Sequence, residues 1–350
     1  MKNIQQTSID WISKSKGFGI LGIIAVHTVQ KFNIEHISSI AYAGMYCVQL
    51  FFIISAYLTF RSLEIKNDIL SVKTYFNYLF HKILRLIPVL YIVCSYFLIC
   101  HCIELKSFPA INDTIWPKFF FSISFFNGFS YAYNNPWGNW YIGNLFIFLV
   151  MAPFLRKLVN TSKKAVILFA VSALFSSLTT FFMEKKGIDT SWYFYFWFPR
   201  QFPLMAIGIV FFYFEKDGFE SSLNSIYTFL FLIISGFLLS FCWNTFIEKH
   251  VQYGLLLISF CYILFNKLES GRLFFLLKKL GDNSYGMYLF HICILPLISF
   301  FIKKLDIRNS SFCFILCYIL VLLFSYIISR AVNIFIEKPL FSYMKRNYNS

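Results

Sequence analysis

Charge is what this chain lacks. Only 13% of its 350 residues are Asp, Glu, Lys or Arg, about half the share usual in a soluble domain. Such a chain cannot cover a water-facing surface, so a soluble enzyme fold is excluded. Acid is scarcest: 16 Asp and Glu stand against 31 Lys and Arg, a formal net charge of +15. That excess does not predict a nucleic-acid partner, because the cations form short clusters between apolar runs rather than one phosphate-binding stripe. Metal-ligand spacing is missing too. Cys100-His101-Cys102 lacks the usual gap and any second cluster, and almost all nine cysteines lie inside apolar runs, where a thiol behaves as a small hydrophobe. No metal is expected. The first sixteen residues are polar and no small-residue cleavage site follows the first apolar run, so no cleavable signal peptide is expected. Linkers, low-complexity tracts and convincing internal repeats are also missing. One membrane domain over residues 1–350 is expected, and transporters built from inverted halves are disfavoured.

What fills the chain is hydrocarbon: 58% hydrophobic and 22% aromatic residues, with a mean hydropathy of +0.65. Crossing a bilayer takes about 20 predominantly apolar residues. Runs of that kind occupy 17–32, 38–60, 83–103, 139–158, 165–183, 192–214, 225–247, 250–266, 285–302 and 312–336. The stretch 114–133 is interrupted by Pro117, Asn127 and Gly128, with Asn134, Asn135 and Pro136 just beyond, and reads as a re-entrant or interfacial element. An eleventh span there would reverse everything after it. The expected fold is therefore all-α, a polytopic membrane protein of about ten transmembrane helices. With the N-terminus in the cytoplasm, 20 of the 31 basic residues fall inside and nine outside, while Arg200 and Arg330 lie within spans. The positive-inside rule then puts both termini in the cytoplasm of a multi-pass plasma or inner-membrane protein, with the lipid bilayer as its surroundings.

Ionisable groups within spans are costly and point to function. His27 lies deep in the first span, eleven residues after Lys16. Eleven steps of about 100° end roughly 20° past three full turns, so the two side chains share a helix face, separated by a rise of about 16 Å. One stripe would thus hold an anionic head group at the membrane rim and a reaction centre inside. A histidine bonded to a neighbouring helix, beside an interfacial lysine, fits the same spacing. Lys82 and Arg85 open the third span, three apart before Pro88, and so project from one helix face at its cytoplasmic end; two cations there suit phosphate groups, although snorkelling to lipid head groups is the commoner use of basic residues at span ends. His291 lies within the ninth span, after Ser284-Tyr285 and Tyr288. Arg200 cannot be neutralised in the bilayer, so it must face a polar cavity or a partner. Glu337-Lys338-Pro339 ends the last span, where the glutamate reads as capped and paired.

Taken in order from about residue 8 to residue 341, these segments resemble the acyltransferase-3 family of integral membrane O-acyltransferases. The first family block, an arginine, ten residues and a histidine, reads Lys16 to His27 here. The second reads Cys47-Val48-Gln49-Leu50-Phe51-Phe52-Ile53-Ile54-Ser55-Ala56-Tyr57-Leu58, with Gln49 at a commonly acidic position. Lys82, Arg85 and Pro88 match the third. Trp140 and Pro153 match the fourth, with Leu145-Phe146 where an acidic pair is common, a variant similar to the branch containing the enterobacterial common-antigen acetyltransferase. Arg200, Pro203 and Gly208 match a further block, and Ser284-Tyr285-x-x-Tyr288-Leu289-x-His291 and Glu337-x-Pro339 the last two.

The resemblance implies an acyl-CoA-dependent enzyme with no permanently bound cofactor. Acyl-CoA, most simply acetyl-CoA, would be its co-substrate, with phosphates held by Lys16, Lys82 and Arg85. His27 would be catalytic, as general base or as transient acyl carrier. Gln49, Ser55, Trp140, Arg200, Tyr288 and His291 would surround the substrates. The acceptor would be a sugar hydroxyl on a surface or lipid-linked glycan. Trp137, Trp140, Tyr141, Trp192, Tyr193, Tyr195 and Trp197 all fall on the outer side; they would stack on sugar or form an interfacial belt. The rival reading is a ten-span transporter or flippase of lipid-linked sugars or small solutes, with Arg200 and His27 as its substrate or proton sites.

Overall fold

A computed structural model describes residues 2–32, 41–65, 71–110, 112–129, 138–187, 194–217, 248–267, 271–305 and 310–348. The expected span 225–247, and Trp137, Trp192 and Tyr193, lie outside the described residues, as do Lys66 and Arg308. Regular structure among the described residues is helical: α1 Lys2–Val29, α2 Cys47–Ile65, α3 Val72–Leu84, α4 Ile87–Leu105, α5 Ile115–Ile123, α6 Trp140–Leu158, α7 Ser162–Lys185, α8 Phe198–Lys216, α9 Lys249–Lys267, α10 Arg272–Asp282, α11 Ser284–Lys304, α12 Ser310–Val332 and α13 Lys338–Tyr348. A π-helical turn, Asn333–Glu337, joins the last two.

Six segments among the described residues are long and apolar enough to cross a membrane: Ala41–Ile65, Ile87–Leu105, Trp140–Leu158, Ser162–Lys185, Ser284–Lys304 and Ser310–Met344. The expected spans 17–32, 192–214 and 250–266 are also helical, as α1, α8 and α9, but differ in kind. The apolar part of α1 continues a polar first half, α8 carries Arg200, Glu215 and Lys216, and α9 is apolar only over Lys249–Phe265. The described part of the 114–133 stretch, residues 114–129, holds the nine-residue α5 and a short helical turn at Phe126–Gly128; α5 is about 14 Å long at 1.5 Å per residue and so too short to cross by itself. Phe125, at φ 64°, turns the chain out of it.

Contacts divide the chain into two compact units. The first comprises residues 1–47, 84–119 and 268–350, the second residues 48–83 and 120–267. In the first, α1 packs on α10, α11 and α12, and α11 also on α12 and α4. The α1–α10 crossing is a mutual glycine contact. A Cβ on Gly17 would fall 1.9 Å from the Leu277 oxygen, and one on Gly281 would fall 1.7 Å from the Ser13 oxygen. Around it Ser13 donates to Asp282 at 2.7 Å and Lys278 to Asp10 at 2.6 Å. Tyr285 donates to the Leu86 carbonyl at 2.6 Å, and Tyr96 to the Cys293 carbonyl at 3.3 Å, so α4 runs parallel to α11.

In the second unit, α2, α6 and α8 form a parallel set. Their C-terminal ends meet at Glu64, which pairs with Arg156 and Lys216, and at Tyr57, which donates to Glu215. Close approach of α8 to α2 requires Gly208, whose Cβ would fall 2.2 Å from the Ile53 oxygen. Helix α7 packs against α8.

Candidate functional site

In the first unit the site begins on α1, which is continuous from Lys16 through His27, so the shared helix face is real. Both ends of that face meet the segment α10–α11. At its start Gly17 abuts the Leu277 backbone of α10, and the Asp282 carboxylate at the end of α10 accepts from Ser13, three residues before Lys16. Eleven residues on, the His27 ring lies with its centroid 5.2 Å from that of His291 on α11, and Tyr288 lies 5.9 Å from His291. His27 Nδ1 stands 3.3 Å from the Gln30 amide oxygen. With the Gln30 amide oxygen turned to the ring as it is here, Nδ1 carries the ring proton and Nε2 is left as a base. His27 is half-buried, whereas His291 and Tyr288 are buried.

The basic pair departs from the expected geometry. Helix α3 ends at Leu84, Arg85 and Leu86 form a turn, and α4 starts at Ile87, so Lys82 and Arg85 do not share one helix face. Pro88 is the cause. It has no N–H to give the Leu84 carbonyl and its ring would clash there, whereas in the first turn of a new helix neither matters. Arg85 is exposed, with its guanidinium 5.9 Å over the Phe341 ring. The Tyr285–Leu86 bond ties its turn to the start of α11, the end of this unit where Ser13 meets Asp282. Lys82 belongs to the second unit and lies 5.8 Å over the Tyr78 ring. Glu337 is in the π-helical turn, a feature that often marks functional sites, and accepts from Asn333 at 2.8 Å.

In the second unit the other candidates line the starts of α6 and α8. Gln49 is fully buried and donates to the Tyr195 hydroxyl. Ser55 and Tyr141 share a hydrogen bond of 2.7 Å. Trp140 packs on Phe52 and Phe196, with centroids at 5.4 and 4.9 Å. Arg200 has the partner its burial demands: Glu248, which it meets through Nε and Nη2. Glu248 also accepts from Ser176 at 3.0 Å and Thr180 at 2.8 Å. His250 bridges back, with Nδ1 3.3 Å from Glu248 and Nε2 2.9 Å from the Arg200 carbonyl. The carbonyl only accepts, so Nε2 carries a ring proton.

The acyltransferase domain profile of the acyltransferase-3 family matches residues 9–330. The chain belongs to that family. Comparison with curated proteins and with solved structures gives no match. The match runs through both compact units and ends before Glu337, so this acyltransferase carries its Glu337-x-Pro339 block beyond the matched segment. Within the acyltransferase, Lys16, His27, Arg85, Tyr288 and His291 fall in the first unit. Lys82, Gln49, Ser55, Trp140 and Arg200 fall in the second.

Sequence reasoning missed Glu248 and His250: Glu248 falls in the short gap between the apolar runs 225–247 and 250–266, and His250 is the first residue of the second run. A signal existed: with 16 acids in the chain, a spanning arginine limits its own choice of partner. It also missed Asn144 and Gln201. Each donates to a carbonyl of the 194–196 turn, at 2.8 and 2.5 Å, and each leaves its own side-chain oxygen buried without a partner among the described residues.

Proposed function

We propose that this protein moves an acyl group, acetyl in the simplest case, from acyl-CoA to a sugar hydroxyl of a surface or lipid-linked glycan. The observation that carries this reading is His27. A family motif places it on the Lys16 face of one continuous helix, and its Nδ1 proton is committed to Gln30, which leaves Nε2 as a base. The donor's phosphates meet Lys16 and Arg85 at the cytoplasmic rim. The pantetheine arm then extends along the α1 face; the rise of about 16 Å from Lys16 to His27 is well within its reach.

At His27 the acceptor O–H gives its proton to Nε2 as its oxygen attacks the thioester carbonyl. The C–O bond forms, the C–S bond breaks, and the proton on Nε2 passes to the departing sulfur, giving the ester and CoA thiol. Leu145 and Phe146 stand where an acidic pair is common in the family, and Phe146 stacks on Phe125 at 5.4 Å. An apolar pair at that position favours the branch of the enterobacterial common-antigen acetyltransferase. Arg200 is less available as a transporter's substrate site, because Glu248 already neutralises it.

The test is ester content of the host's surface polysaccharide by mass spectrometry, wild type against His27→Ala at matched membrane expression. An ester mass seen only with the wild type is expected. An ester in both strains keeps the enzyme class and reduces His27 to a packing residue. No ester in either overturns the reading.

A further inference from the structure

The packing of α1 on α11 leaves one base without a use. His291 is fully buried, at 0% exposure. Its Nδ1 lies 3.2 Å from the Met287 carbonyl one turn earlier. A carbonyl only accepts, so Nδ1 carries the proton and Nε2 of the neutral ring is a bare lone pair. Among the described residues that nitrogen has no hydrogen-bond partner. A buried acceptor left unpaired weakens the fold, and an apolar side chain of the same volume would avoid the cost. The ring sits 5.2 Å from that of His27, at an interplanar angle of 34°.

We propose that His291 Nε2 is a substrate-binding acceptor, taking a hydrogen bond from an N–H or O–H that arrives with the reacting pair. The inference rests on the acyl-transfer reading. The reacting hydroxyl has a single proton, and that proton goes to His27. The donor at His291 is therefore a different group: an amide N–H of the acyl donor's arm, or a hydroxyl beside the reacting one on the sugar. Both offer the same chemistry. His291 gains no proton and stays neutral, which suits its place beside a ring that becomes cationic during the reaction, since two like charges that close oppose one another.

The test compares His291→Gln and His291→Phe in the full-length protein. Its substrates are labelled acetyl-CoA and the host polysaccharide stripped of esters by mild base. The glutamine amide oxygen reaches about the place of Nε2 and accepts, whereas phenylalanine fills the ring volume and accepts nothing. His291→Phe is expected to raise KM for one of the two substrates about 5- to 30-fold, with a smaller change in kcat, and His291→Gln to recover most of it. A rise for acetyl-CoA identifies the arm as the donor; a rise for polysaccharide identifies the sugar. Unchanged KM values in His291→Phe would make His291 a packing residue and sink the inference. So would a kcat loss at constant KM that glutamine does not recover, since that marks proton transfer. If His291→Phe fails to fold, His291→Leu takes its place in the comparison. Normal kinetics in the variants overturn this inference alone, whereas a wild type that transfers no acetyl overturns the acyl-transfer reading and this one with it.

Discussion

Removing the Glu248 carboxylate tests the polar centre of the second unit. Glu248 and Arg200 are 13% and 14% exposed at their side chains, and a guanidinium keeps its charge whatever its surroundings. Taking away one partner of a buried pair costs about 3–5 kcal/mol, because the other charge stays behind. Glu248→Ala also strips an acceptor from Ser176 and Thr180, which puts the expected loss in the upper part of that range, about 4–5 kcal/mol. With an unfolding entropy of about 2.1 cal/mol/K per residue over 350 residues, the apparent Tm should fall by about 5–7 °C. Fluorescence-detected size exclusion after heating steps, on detergent-solubilised protein, reads the shift. Replacing both partners by methionine removes the charges together, so the double variant should melt above either single one. Single variants within about 1 °C of wild type would refute the argument. A double variant whose loss equals the sum of the two would refute it as well.

Three further outcomes follow from other contacts. Gly281→Val sets a side chain against the Ser13 carbonyl, where backbone must move; a loss of about 1–3 kcal/mol is expected, and an unchanged melt would mean the α1–α10 crossing is loose. Lys16→Met should weaken acetyl-CoA binding roughly tenfold or more, as loss of a hydrogen bond to a charged group does, with Lys16→Arg at least as tight as wild type because of its bidentate fork; titration calorimetry decides. The Ile115 N–H, then His101, hold the Asp113 carboxyl below the usual carboxylate range. A lowered folded pKa stabilises above the unfolded value of about 3.9 and the gain fades as pH falls through the folded one. Wild type should therefore melt above Asp113→Ala at neutral pH and lose that lead in acid, and a lead that persists at low pH would exclude the ionic origin.

The helices were legible because a bilayer imposes a one-dimensional demand, a long apolar run with few charges, which a chain displays without reference to its partners. The Lys16–His27 face was legible for a related reason: a single continuous helix turns spacing directly into direction. The Lys82–Arg85 face failed where that premise failed, although Pro88 was in plain view and its missing N–H forbids running α3 into α4. Glu248 was hidden by distance, 48 residues from Arg200, because a charge pair between helices leaves no periodic trace. His291 stood out as an ionisable group in a span, but only the carbonyl of Met287 decides which of its nitrogens is bare.

The direction of two helices in the second unit bears on whether α5 crosses the membrane. Helices α2 and α6 lie side by side, joined by Ser55 to Tyr141 near one end and by Glu64 to Arg156 at the other. Ser55 and Tyr141 precede Glu64 and Arg156 in their respective helices, so the two run the same way. Parallel spans need an odd number of crossings between them, and α4 supplies one. A second crossing at α5 would make the number even and turn α6 around. The nine-residue length of α5 and the parallel pairing therefore argue against the same crossing on independent grounds. A cysteine at Ile65, just at the end of α2, and another at Asn160, just past α6, should both react with a membrane-impermeant maleimide from one side only, read against the unmodified protein. Labelling from opposite sides would mean that the parallel pairing is wrong, and with it the odd count that keeps α5 out of the membrane-crossing set.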